Sequence, residues 1–161
     1  MQALRWFLPT LTAVVALLPS TASPAADDTY RVTGIEYSAT STTGRFSGLA
    51  SGSLPATWDA TVIHDQLNPD AAVPITGGTV TLHTRAPITG TFAEGTVSPI
   101  DTPTTCADER FDVTGTLAFD NGRTGTFAVV LTHLRTKLRS GCVTFGAVVI
   151  GTLTLTASAN T

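Results

Sequence analysis

From about Tyr30 onward, apolar and polar positions alternate along the chain with a period of two, in short stretches separated by turn residues such as Asp120-Asn121-Gly122. A side-chain period of two is that of a strand with one face buried and one wet. The pattern predicts about eight strands: Tyr30 to Thr40, Arg45 to Gly52, Thr57 to Gln66, Ile75 to Arg85, Ile88 to Ser98, Glu109 to Phe119, Thr124 to Lys137 and Cys142 to Thr156. No stretch offers the period of an amphipathic helix. The connections are short at Pro55-Ala56, Ala86-Pro87, Asp120 to Arg123 and Leu138 to Gly141, and only Leu67 to Pro74 and Pro99 to Asp108 are longer.

Short connections force sequential neighbours to pair antiparallel. Eight strands in meander order can close on themselves and remove the exposed edges that would otherwise aggregate. The expected fold is therefore all-β, a single antiparallel up-and-down barrel, with a two-sheet β-sandwich as the alternative. Parity sorts its inside from its outside. Trp58, Ala60, Val62 and His64 share a face, as do Phe111, Val113, Leu117 and Phe119; Phe127, Val129, Leu131, His133 and Arg135; and Val143, Phe145, Ala147, Val149, Leu153 and Leu155. These sets form the expected core. On the opposite parity the last two strands carry Val130, Leu134, Leu138, Val148 and Ile150 where a solvated face should be polar. An apolar patch in that position marks a partner surface, and a homodimer through the outer face of the last two strands is expected from it.

The first residues break the cadence. Arg5, the apolar run Trp6 to Leu18 and the small residues Ser20 to Ala25 match an export signal, so residues 1–25 read as a signal peptide and residues 26–161 as one all-β barrel domain. The run is too short and too interrupted by Pro9 to span a bilayer, and no later stretch is long and apolar enough to do so. Removing Arg5 with the leader leaves eight basic residues against twelve acidic. That balance argues against nucleic acid as a partner. Thr makes up about a fifth of the chain, which suits the wet face of a sheet. The two cysteines of an exported chain most simply pair, so a Cys106–Cys142 disulfide is expected, tying an inter-strand loop to the start of the last strand. A secreted, extracytoplasmic protein follows from both features.

Chemistry is sparse. The Thr-Gly elements at Thr76, Thr89, Thr114 and Thr124 are not phosphate loops, because no helix N-terminus follows them. Asp65, Asn68 and Asp70 are oxygen donors in one loop but lack a calcium-loop spacing, and no serine sits in a nucleophile elbow. No metal and no cofactor are implied. His64 and His133 fall on the core parity near strand ends, with Arg135 continuing the face of His133, and the three are expected at one barrel mouth; with Trp58, on the core parity of its strand, they are the candidate ligand-binding residues, suited to a small apolar or anionic ligand.

In cadence the chain resembles the up-and-down barrels of the lipocalin and avidin type, that is, the calycins. Through Ile75-Thr76-Gly77-Gly78 followed by Ile88-Thr89-Gly90-Thr91-Phe92 it also resembles the allene oxide cyclase and dirigent barrels. It departs from the first group in lacking Gly-x-Trp, since Trp58 follows Ala56-Thr57. It departs from the second where Val80 and His83 stand in place of an aromatic and a glycine. No site residue is carried over from either. The expected function is non-catalytic binding of a small ligand or a surface partner, with cyclase or isomerase chemistry inside the barrel, or a structural role at the cell envelope, as alternatives. A large cavity inside would favour a ligand, and a filled interior an interaction role.

Overall fold

The computed structural model describes residues 27–101 and 106–156; the expected signal peptide lies outside the described residues. The chain forms β1 (Asp28–Ala39), β2 (Thr43–Ser51), β3 (Ala56–His64), β4 (Val73–His83), β5 (Ile88–Pro99), β6 (Glu109–Phe119), β7 (Thr124–Leu138) and β8 (Gly141–Thr156). Each strand pairs antiparallel with the next, and β1 pairs with β8, from Asp28 opposite Leu155 to Ile35 opposite Val148, to close the barrel. The sandwich alternative is thereby excluded. Among the described residues there is no helix long and apolar enough to cross a membrane.

Inward positions follow the expected parity almost throughout. Trp58, Phe127, Leu82, Leu117, Leu153 and Leu155 are fully buried, and Phe46, Phe92, Phe111 and Phe119 pack with them. The Trp58 and Phe127 rings stand 5.9 Å apart. Phe92 meets Phe127 edge-on at the same separation. Rings of this size need room. Gly34 pairs with Gly48, which pairs with Trp58 across β1, β2 and β3, and the indole lies over the space the two glycines leave. There the Trp58 Nε1–H donates to the Thr33 carbonyl at 3.2 Å, as a buried indole requires. On the outside, threonines meet across strands, hydroxyl to hydroxyl, at Thr81 and Thr89 (3.1 Å), Thr96 and Thr114 (3.3 Å), and Thr124 and Thr156 (2.7 Å).

The two ends of the barrel differ. At one end the Asp120–Arg123 turn, with Gly122 at φ 79°, carries Arg123 across the start of β1 and the end of β8: Nη1 donates to Asp28 at 2.9 Å, Nε to the Thr156 carbonyl at 3.0 Å and Nη2 to the Leu155 carbonyl at 2.8 Å. At the other end β7 and β8 run on past their neighbours as a two-stranded arm. The Cys106–Cys142 disulfide is formed, with its Cα atoms 5.3 Å apart, and ties this arm to the β5–β6 connection. A bond of this kind persists in oxidising surroundings and is compatible with an extracellular location.

The arm is where the expected core is wrong. Val143 and Phe145 are not inside; Phe145 is 66% exposed and Val143 is exposed as well. Leu134 faces Gly146 but Arg135 faces Thr144, so Phe145 is an extra residue on β8, a β-bulge. One inserted residue reverses parity for everything beyond it. Val143 therefore lies opposite Thr136 on the outward set, while the inward side of the arm is left to Arg135, Lys137, Cys142 and Thr144. The Arg135 N–H beside this irregularity donates to the Asp108 carboxylate at 2.9 Å.

Candidate functional site

In an up-and-down barrel the ends of odd strands and the starts of even ones share a rim. At the arm end this rule gathers Glu36 from β1, His64 from β3, Glu109 from β6, and His133 and Arg135 from β7. All five continue the inward parity of their strands. His133 sits directly opposite Glu109, and its ring packs against Phe111 with centroids 5.5 Å apart. Its Nε2 lies 3.1 Å from Glu36 Oε2 and its Nδ1 3.8 Å from Glu109 Oε2. Arg135 Nη1 donates to Glu109 Oε1. The result is an alternating row of acid, imidazole, acid and guanidinium, largely out of water.

His64 and His133 do line one small pocket, together with Glu36, Thr40, Phe46, Leu67 and neighbouring aliphatic side chains, and its volume is about 40 Å³. Arg135 is at the same rim, engaged by Glu109. Trp58 is not part of this group: it is 1% exposed in the middle of the core and does not line the pocket. Glu36 and Glu109 complete the site beyond the expected residues, and parity marks both, since Glu36 follows Tyr30, Val32 and Gly34 on the inward set and Glu109 precedes Phe111 and Val113. Among the described residues no group of three His, Cys, Asp or Glu side chains could hold a metal ion. The Asn68 carboxamide oxygen instead accepts the Asp70 N–H at 2.9 Å, an ordinary loop contact.

The bond to Glu36, against the opposing effect of burial and with further help from the Glu109 charge, raises the pKa of His133 above its ordinary 6.5. A group whose pKa is raised on folding contributes stability that is fully present below the unfolded value and is lost as pH rises through the folded one. Urea midpoints of the wild type should thus fall between about pH 6 and pH 8.5 by more than those of His133→Gln. Equal falls in the two proteins would refute the pairing.

The anionic ligand expected from the two cations finds each of them already matched by a carboxylate. Nor does the interior offer a chamber. The pocket at the mouth is far smaller than the roughly 300 Å³ or more of an ordinary ligand site, and a wider depression of about 430 Å³ is an open trough on the outside lined by Glu94, Thr96, Thr114, Thr116 and Thr126. Fold and site together define a closed eight-stranded antiparallel barrel with a filled interior and an ion-paired mouth. Comparison with known proteins yields no matching family model, no matching curated protein and no matching solved structure.

Proposed function

We propose that the chain is an exported interaction module whose partner is a second copy, docked through the outer face of β1, β7 and β8. The carrying observation is the distribution of apolar residues. Inside, aromatic rings fill the space that a ligand or substrate would need, which also weighs against the cyclase or isomerase alternative. Outside, Ile35, Tyr37, Leu138, Phe145 and Ile150 are all more than half exposed, and Val148 lies directly opposite Ile35. The outward positions Thr33, Ile35 and Tyr37 of β1, Val130, Thr132 and Leu134 of β7, and Val148 and Ile150 of β8 carry no charge. Two copies meeting face to face would bring no like charges together there, although the chain as a whole is net negative.

Beside this face the β1–β8 ladder stops at Ile35 and Val148, so the arm segment of β8 has a strand edge without a partner among the described residues. An open edge next to exposed apolar side chains favours association. Sedimentation of the protein at tens of micromolar should give a dimer, and Val148→Lys or Ile150→Lys should weaken it by about tenfold or more. A monomeric wild type rejects the reading. A dimer indifferent to both charges places the contact elsewhere.

A further inference from the structure

The mouth pocket has a polarity that its ion pairs do not explain. His64 is 8% exposed, and its Nδ1 lies 2.7 Å from the Asp65 carbonyl oxygen. A carbonyl only accepts, so in the neutral ring Nδ1 carries the hydrogen and Nε2 keeps its lone pair. That nitrogen has no hydrogen-bond partner among the described residues, yet no buried side-chain nitrogen or oxygen among them lacks one. Nε2 must therefore reach open space, and the pocket is the space His64 lines.

Glu36 repeats the arrangement. Its side chain is 9% exposed; Oε2 takes the His133 bond, and Oε1, lying in the room left beside Gly44, receives no donor among the described residues. The two side chains that hold these acceptors, one of them charged, line one space of about 40 Å³. That volume is enough for a small head group and a methylene or two, since one water needs roughly 10 to 15 Å³ on the same scale. The remaining wall is apolar, from Phe46, Leu67, Val97 and Leu131 among others. With two nitrogen and oxygen donors to a metal instead of three or four, the pair is poorly suited to a cation without hydrogens of its own.

The geometry points to a site for a primary alkylammonium group, with its N–H donors on Glu36 Oε1 and His64 Nε2 and its methylene stem against Phe46, Leu67 and Leu131. Such a group comes from a free small amine or from the lysine side chain of a docked protein. The inference does not rest on self-association. Charge sets its pH dependence. The pocket's ionic neighbours are Glu36 on β1, His64 on β3, Glu109 on β6, and His133 and Arg135 on β7. With His133 protonated Glu36 is already matched, and with His133 neutral the cluster has a carboxylate to spare.

The chain holds three histidines, and the third, His83, pairs with Asp59 at the opposite end of the barrel. Histidine ring resonances therefore read the site with an internal control. Titrating n-butylammonium should shift His64 and His133 but leave His83 in place, and the affinity should rise by roughly threefold or more from about pH 6 to pH 8. Glu36→Gln and His64→Phe should each lower the affinity about tenfold. Nα-acetyl-lysine methylamide distinguishes the sources: binding at least as tight as that of butylammonium supports a lysine, and binding of butylammonium alone supports a free amine. Failure of both amines to shift the two rings overturns the site. So does an equal response to butanol or butyrate, or undiminished binding by Glu36→Gln whose amide dispersion remains that of the folded barrel.

Discussion

Gly48→Ala should cost on the order of 3 kcal/mol or more, one of the largest losses of any single methyl addition in this chain. A Cβ at this position would overlap the Thr33 carbonyl oxygen and stand 2.5 Å from Gly34 Cα. Both obstacles are backbone and cannot rotate away. To admit the methyl group β1 must move off β2, and the Thr33 carbonyl that moves with it is the acceptor for the Trp58 indole. Overpacking alone costs about 1 to 3 kcal/mol. Loss of a buried hydrogen bond to the ring adds about 1 kcal/mol. Gly77→Ala is the control, because its new methyl meets only Ile63 Cδ1 at 3.8 Å and its backbone is not in the left-handed region; its stability should change by less than about 0.5 kcal/mol or rise slightly. Comparable urea midpoints for Gly48→Ala and the wild type would show that β1 and β2 are not held together as described.

The double variant Cys106→Ser, Cys142→Ser should lose about 4 kcal/mol, the chain-entropy value for a bridge across 36 residues. Its effect should also be local. Beyond Arg135 the arm no longer pairs with β1 or β6, and besides the Asp108 bond the disulfide holds it to the rest of the barrel. Amide exchange in the variant should accelerate over 136–146 first, and only at higher denaturant in the closed part of the barrel. A loss below about 1 kcal/mol, or two thiols that alkylate in the native protein without reduction, would contradict this account.

Why the barrel was legible and the arm was not is a matter of period. Alternation survives wherever one face is packed, and through β3, β6 and most of β7 it marked the buried side chains correctly. It carries no notice of an inserted residue. Cys142-Val143-Thr144-Phe145-Gly146 continues the alternation of β8 without a break, so its apolar members look like core; only the pairing of Leu134 with Gly146 and Arg135 with Thr144 reveals the slip. The mouth was legible in part. His64, His133 and Arg135 stand out because polar groups on core parity are few, and Glu36 and Glu109 satisfy the same rule. What parity cannot supply is which inward groups share a height along the barrel axis, nor that Glu36 would reach across the closing seam to His133. The indole of Trp58 shows the same limit: core parity alone does not say where along the axis a ring lies, and the Gly34–Gly48 pair gives this one a place at the middle of the barrel.

The clasp made by Arg123 has a consequence for how the molecule can be held. Asp28 and Leu155 are opposite one another in neighbouring strands, both bound by that guanidinium, so the chain enters and leaves the barrel at the end away from His64 and His133. A tether, tag or fused domain joined directly before Asp28 or after Thr156 would emerge from that end like a stem. The histidine-lined mouth and the disulfide-tied arm would then point outward into solution, free to meet whatever arrives.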